Sequence, residues 1–464
     1  MQFSPIMGGS ITGEYDGFAY EHESPDNYEY VVDDDEEGFP SFRLLQDEDE
    51  LVEGDEEEKV FPSTSEKKPK QLKQGNLLDM WGIKTPQHSS PSPSLPPPRK
   101  KTRTGNNSEQ EIGKSKPSKT CPFYKKIPGT PFSVDAFRYG SIQGCSAYFL
   151  THFHSDHYGG LTKGWSHGRI YCSPLTARLL TLCLSVDPRF IRPLEFNVEY
   201  VIHGVCVTFL DANHCPGAVL IHFRLIDGQT HLHTGDFRAC KAMQTHPLLA
   251  NQRVHVLYLD TTYCNPKYKF PSKEDVLSYV VRITENYLKK HPNTLVVVGA
   301  YSIGKECVYL AISEALGVKI YANARRRRIL HSFGWPELSG CLCAHGTDTF
   351  LHVLPMSSLR FESLKDYLKG YANQYKAVLA FRPTGWTYSE QLGNQLDLIR
   401  PSSKGNITIY ASAVGVPYSE HSSFTELQEF VKFLKPDKII PTVNAGKPAN
   451  RDRMQSYFRE MRKS

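Results

Sequence analysis

Thr151-His152-Phe153-His154-Ser155-Asp156-His157 is the stretch whose reading decides the fold. Three imidazoles and one carboxylate fall between residues 152 and 157, directly after the apolar run Ala147-Tyr148-Phe149-Leu150. That run reads as the end of a buried strand. Gly159-Gly160 follows and lets the chain turn sharply. In extended backbone, residues two apart share a face, so His152 and His154 point the same way. Asp156 and His157 fall at the turn and reach a second position nearby. Neutral imidazoles and ionised carboxylates are what Zn²⁺ and similar ions bind. The competing reading is a histidine-rich surface loop. Against it, acid and imidazole residues recur in order at the ends of later strands.

Working outward, residues 131–137 read as a strand carrying Asp135, and residues 205–210 alternate and run into Asp211-Ala212-Asn213-His214. Residues 218–223 and 229–233 read as a strand pair about the turn Asp227-Gly228, the second running into Thr234-Gly235-Asp236. Residues 254–259 form a strand ending at Asp260. Helices are expected near 174–183 and over 273–290. The apolar strand 295–298 leads through Gly299-Ala300-Tyr301-Ser302-Ile303-Gly304 to a helix starting near Lys305. Short strands and helices then alternate to about residue 406, as in an α/β unit. Residues 407–411 read as a strand that returns to the first core. After them come Tyr418-Ser419-Glu420-His421-Ser422-Ser423, a helix over 424–434, a strand over 439–443 and a basic helix over 450–463.

The 464 residues carry a net charge of +4, which hides a division. Residues 1–120 hold 24 acidic and 14 basic side chains, a net of −10; residues 121–464 hold 26 and 40, a net of +14. An acidic tail on a basic body fits a body that binds a polyanion. The tail, with acidic blocks and a Pro/Ser-rich run over 89–98, is expected to be disordered. Within it, Pro96-Pro97-Pro98-Arg99-Lys100-Lys101-Thr102-Arg103 reads as a nuclear signal. All 11 cysteines lie in the body and none form a C-x-x-C pair, which fits free thiols in a reducing compartment. No apolar run approaches the ~18 residues of a membrane span, so no membrane partner is expected.

Groups held at strand ends are held rigidly, which suits a reaction centre. One ion can take His152, His154 and His214, and a second can take Asp156 and His157, with Asp236 placed to bridge them. Two ions ~3.5–4 Å apart suit displacement at phosphorus. Asp135 is placed to orient a ligand histidine. Singly, each of these is more often a satisfied buried side chain; together and in this order they point to a metal centre.

The H-x-H-x-D-H motif after a strand, with Asp135, His214 and Asp236 in sequence, resembles the metallo-β-lactamase superfamily. Leu259-Asp260-Thr261-Thr262-Tyr263 and the Tyr418–Ser423 motif resemble its β-CASP nucleic-acid hydrolases. Val443, where RNA-processing members carry histidine, is the pattern of the DNA-processing subgroup. It also implies weaker binding of a second divalent ion beside one tightly held Zn²⁺. His214-Cys215-Pro216-Gly217 and the Ser-Ile-Gly-Lys-Glu run are similar to the interstrand cross-link repair nucleases, a group that includes Artemis and Apollo. The resemblance covers roughly residues 118–464 and is closest to the 5′→3′ exonuclease type.

The resemblance implies an αββα metallo-β-lactamase sandwich interrupted by a β-CASP α/β domain, behind a disordered tail. The divisions are 1–117 for the tail, 118–295 and 407–464 for the two parts of the sandwich, and 296–406 for the insertion. It implies a nuclear, monomeric DNA repair enzyme, with Asp156, Asp236, Asp260 and His421 at the reaction. Asp260 and His421 would pair, with His421 donating a proton to the leaving 3′-oxygen; a metal contact alone is the other reading. Ser302 and Lys305, at a helix start, read either as a pocket for a 5′-phosphate or as a plain helix N-terminus. Arg325-Arg326-Arg327-Arg328 reads as a contact to the DNA backbone, against a solvated cluster. Gln74-Gly75-Asn76-Leu77-Leu78-Asp79-Met80-Trp81 resembles a sliding-clamp-binding peptide with Met80 in place of the usual aromatic, against a chance apolar cluster. The alternatives in function are an RNA-processing endonuclease, a small-molecule metallo-hydrolase and a non-catalytic scaffold. Val443 speaks against the first. The ~110-residue insertion speaks against the second, since a small substrate needs only a compact pocket. The full ligand set speaks against the third.

Overall fold

Both faces of the strand that feeds the metal loop, Ala147–Phe149, are buried, and its alternation sends neighbours to different cores. Ala147 and Phe149 join Phe132, Val134, Phe209, Phe223, Tyr258 and Ile440 in one buried cluster. Tyr148 and Leu150 join Phe137, Trp165 and the helices in another. The first cluster lies between two sheets. The Phe149 ring sits 5.1 Å from Phe132, 5.1 Å from Tyr171 and 5.2 Å from Phe223, contacts each worth ~0.5–1.5 kcal/mol beyond the area they bury. The computed structural model describes residues 120–385, 396, 399–410 and 416–463. The acidic tail, its basic cluster and the clamp-like peptide lie outside the described residues.

The first sheet has the order Lys126–Ile127, Phe132–Val134, Ala147–Phe149, Arg169–Cys172, Ile191–Pro193, and is parallel after its first pair. The second runs Lys438–Pro441, Val256–Leu259, Thr230–His233, Val219–Arg224, Val205–Asp211, Glu199–Ile202. Its first three strands are mutually parallel and the rest antiparallel. The outer cluster contains Leu179 and Leu180 of the helix Pro174–Leu184 and Leu427, Phe430 and Val431 of Phe424–Leu434. Helices over two facing sheets make the expected αββα sandwich. The start of Phe424–Leu434 is sharply defined. Ser423 accepts from the Glu426 amide, and the Glu426 side chain accepts from the Ser423 amide. That capping box fixes where His421, two residues earlier, stands.

A third sheet has the order Leu342–Cys343, Ile320–Tyr321, Leu351–Pro355, Thr294–Ala300, Ala377–Phe381, Ile407–Tyr410, Ser402–Lys404. All its pairings are parallel except the last. Leu295 and Val297 face Leu364 and Leu368 of the helix Phe361–Lys369, while Val296 and Val298 face the larger cluster. This is the inserted α/β unit, and its extent differs from the sequence expectation. Ile407–Tyr410 pairs with Ala377–Phe381 and so belongs to the insertion; it does not return to the first core. Its four residues are all buried, and a short apolar run shows that a strand is buried without naming its neighbour. The chain rejoins the sandwich later, at Lys438–Pro441 beside Val256–Leu259. Among the described residues no helix is long and apolar enough to cross a membrane.

Candidate metal centre

The predicted ligands stand on loops at the ends of neighbouring strands. Phe132–Val134 ends at Asp135, whose positive φ of 50° turns the chain out of the sheet. The loop after Ala147–Phe149 passes beside Gly235, where a β-carbon would lie 2.7 Å from the Thr151 side chain. Only glycine allows those two loops to approach, and Asp236 follows directly.

Asp236 Oδ2 is central. It lies 3.2 Å from His157 Nε2, 3.7 Å from His152 Nε2 and 3.9 Å from His214 Nε2. Donor atoms of His152, His154, His214 and Cys215 lie within 4.8 Å of one another, as do those of His152, His157 and Asp236, and those of His214, Asp236 and His421. Asp156 approaches from the open side, its carboxylate 41% exposed and 3.5 Å from His157 Nε2.

Each imidazole is held by its far nitrogen. His157 Nδ1 donates to Asp135 Oδ2 at 2.8 Å, and Asp135 also accepts from the amide and hydroxyl of Thr151 at 2.9 and 2.8 Å. His214 Nδ1 donates to the Glu420 carbonyl at 2.9 Å, and His154 Nε2 to the Ile303 carbonyl at 3.3 Å. Those bonds leave His154 Nδ1 and His214 Nε2 as acceptors facing each other at 3.2 Å. Two facing lone pairs repel unless a cation lies between them. His152 Nε2 is buried and has no hydrogen-bond partner, a loss of ~1–3 kcal/mol that a bound ion would remove. The donor set thus fits a divalent metal.

The electrostatics agree. Burial, reinforced by the neighbouring imidazoles, drives His152 and His214 well below the usual histidine range, so both are neutral and ready to ligate. Burial alone would raise Asp135, but the adjacent His157 outweighs it and holds the carboxyl low. Burial alone would lower His421, but Asp260 and Asp236 outweigh it and raise the imidazolium. His421 Nδ1 donates to Asp260 Oδ2 at 2.8 Å, while Asp260 Oδ1 accepts from the amide and hydroxyl of Thr262 at 2.9 and 2.6 Å. Val443 is held through its backbone by Thr261 and offers no nitrogen to the centre.

Two expectations change. Lys305 is buried, and its ammonium meets Glu420 Oε2 at 2.5 Å. Its amide and that of Gly304 are taken by the carboxylates of Glu420 and Glu306. The Lys305 ammonium and these two amides are therefore taken by carboxylates of the protein, one of them 115 residues away, while Ser302 remains exposed. The four arginines also divide. They lie on the helix Ala324–His331, where consecutive residues are 100° apart and cannot share a face. Arg326 donates to the carbonyls of Tyr301 and Ala300 at 2.6 and 3.2 Å. Arg327 donates to those of Ala344 and Ala322 at 2.7 and 3.2 Å. Both therefore tie strand ends together. Arg325 and Arg328 are exposed three apart on one face. Arg325→Ala/Arg328→Ala should lower the salt slope of DNA binding by ~0.7–0.9 for each phosphate that an arginine no longer neutralises. Titrations at several salt concentrations check this; parallel lines for wild type and variant would exclude the two arginines from the DNA interface.

Sequence reading passed over Thr151, Cys215 and Glu420. Each sits beside a predicted ligand or inside a quoted motif, and adjacency was the available signal. Burial pushes the Cys215 thiol up, and its sulfur lies among the donor atoms of His152, His154 and His214.

Residues 336–447 match the family model described as DNA repair metallo-beta-lactamase. The DNA cross-link repair protein SNM1 of Arabidopsis thaliana is 61% identical over 451 residues, which is 91% of this chain and 90% of that one. The human DNA cross-link repair 1A protein is 50% identical over 342 residues, 74% of this chain but 32% of that longer protein. The 5′ exonuclease Apollo of Gallus gallus is 37% identical over 318 residues, 68% of this chain and 63% of the relative. With nine-tenths of a 61% identical relative covered, the chain belongs to the SNM1 family of DNA cross-link repair proteins, within the metallo-β-lactamase/β-CASP nucleases.

Proposed function

We propose that this chain is a metal-dependent 5′→3′ DNA exonuclease of interstrand cross-link repair. The observation that carries the reading is the ring of imidazoles about Asp236, those of His152 and His214 held neutral, with the His421–Asp260 pair at its edge. The names of the SNM1 relatives support the repair role, and that of Apollo the polarity. Zn²⁺ is the ion that His152, His154 and His214 suit, with a second, weaker site at His157, Asp236 and Asp156. When bound, divalent metal supplies charge against the phosphoryl oxygens and lowers the pKa of a water.

The protein groups do the rest. Asp135 and Thr151 hold His157 in one rotamer, and the Ile303 and Glu420 carbonyls set the tautomers of His154 and His214. Hydrolysis breaks the P–O3′ bond as the oxygen of a water, its proton lost to bulk solvent, bonds to phosphorus. The departing 3′-oxygen takes the proton from Nε2 of His421, whose Nδ1–H stays on Asp260. Arg325 and Arg328 offer phosphate contacts that carry no base information. The basic run over 99–103 supports nuclear import, residues 74–81 would reach a sliding clamp, and the enzyme acts as a monomer.

The test uses 3′-labelled DNA and RNA strands, single and double, with 5′-phosphate or 5′-hydroxyl ends. The expected result is DNA shortened from the 5′ end, stopped by chelator and restored by Zn²⁺. Chelator-resistant cutting, preference for RNA, or release from the 3′ end would each overturn the reading.

A further inference from the structure

Glu420, one of the two acids that close the Gly304–Glu306 turn, connects the inserted sheet to the metal centre. Ile303 lies between the strand Thr294–Ala300 and the helix Glu306–Leu316, and its carbonyl accepts from His154 Nε2 at 3.3 Å. Glu420 comes from the segment after the insertion, and its carbonyl accepts from His214 Nδ1 at 2.9 Å. The carbonyls that orient two facing imidazoles therefore come from chain segments about 115 residues apart. One salt bridge joins those segments at this point. Glu420 Oε1 accepts from the Lys305 amide at 2.8 Å, and Oε2 from the Lys305 ammonium at 2.5 Å.

The surroundings show that this bridge is tightly enclosed. Lys305 and Glu420 side chains are 8% and 6% exposed. Lys305 adopts a φ of 73°, a backbone region that a lysine enters only when its side chain or neighbours hold it there. Gly304 has a φ of 92°, and a β-carbon there would lie 3.1 Å from Glu420 Oε2. The Lys305 ammonium also lies 5.4 Å from the centre of the Tyr418 ring. On the His214 side, Lys273 donates to the carbonyl and side chain of Asn213 at 2.7 and 2.8 Å, fixing the residue before the ligand. A buried ion pair is weak as a source of stability, because desolvation offsets most of the attraction. Its gain is in fixing geometry, and here the fixed groups are two imidazole tautomers.

We propose that Lys305 and Glu420 form a positioning pair that holds His154 and His214 in their metal-binding tautomers, coupling the inserted domain to the metal centre. Neither residue touches the substrate. The inference rests on the metal-centre reading above. The role differs from an anion pocket, because the Lys305 charge is spent on Glu420.

Three variants test it: Lys305→Met, Glu420→Gln, and both together. Each is measured as full-length protein at low temperature, with folding followed by circular dichroism. Zn²⁺ affinity is read by chelator competition, and the ring N–H signals of the histidines by ¹H–¹⁵N spectra. The expected result is a metal dissociation constant raised about 10- to 100-fold in each single variant, with loss of the slowly exchanging His154 and His214 ring protons. The double variant, which leaves neither member of the pair charged without the other, should regain thermal stability but not metal affinity. Wild-type affinity and unchanged ring signals in the folded variants would overturn the proposal. Failure of all three to fold would overturn it too, since the pair would then serve folding alone. Wild-type protein that binds no Zn²⁺ would instead remove the metal centre itself.

Discussion

Asp236→Ala should leave the protein with little bound divalent metal and lower DNA hydrolysis by at least about a thousandfold. Its Oδ2 lies within 3.9 Å of three histidine nitrogens, those of His157, His152 and His214. Without it, the carboxylate that those three imidazoles share is gone, and Asp156 is left as the acid on the Nε2 side of His157. Asp156→Ala should behave differently. That carboxylate is 41% exposed and faces His157, so turnover should fall steeply while more metal is kept. His157→Ala should lie between the two, because it also leaves Asp135 without its imidazole partner. Metal per chain after gel filtration, initial rates on single-stranded DNA and circular dichroism together decide the order. Full metal content with normal turnover in folded Asp236→Ala would exclude Asp236 from the centre.

His421→Ala should lower kcat by roughly 10²- to 10⁴-fold, the usual contribution of a positioned acid, while metal content and KM stay near wild type. Asp260→Asn should give a comparable loss, because the Oδ2 carboxylate 2.8 Å from Nδ1 is what keeps the imidazole protonated and oriented. If the two act as one unit, the double variant should be no slower than His421→Ala alone. Kinetics and metal analysis on the same preparations separate the two readings of His421. Loss of metal in His421→Ala would make the residue a ligand and leave the leaving oxygen without its proposed acid. Additive losses would show that Asp260 serves another purpose.

Most of the centre was legible because its residues are chemically unusual and locally spaced. Singly, a histidine or aspartate at the end of an apolar run is often a satisfied buried side chain, but His152, His154, His157, His214 and Asp236 recur in order, and the structure brings them together. What escaped depends on partners far away in the chain. Lys305 reads as a free cation until Glu420, 115 residues on, is seen against it. The arginine run reads as one patch until the helix spreads it, turning Arg326 and Arg327 inward to backbone carbonyls. The strand Ile407–Tyr410 is equally apolar beside either sheet, and its partner Ala377–Phe381 could not be told from its composition. Helix limits fared better, since 273–290 and 424–434 carry their own serine caps, Ser272 and Ser423.

The sandwich that the insertion interrupts has a consequence for the nascent enzyme. The strand Val256–Leu259 keeps one edge open until Lys438–Pro441 is made, and Asp260 waits 161 residues for His421. At roughly 5–20 residues per second of synthesis, that interval is about 8–30 s. Throughout it, the chain already holds His152, His154, His157, His214 and Asp236 but lacks both the imidazole proposed to release the product and the Glu420 carbonyl that orients His214. The proposed ligands are thus made first and the proposed proton donor late, and the centre stays incomplete until residue 421 has been added.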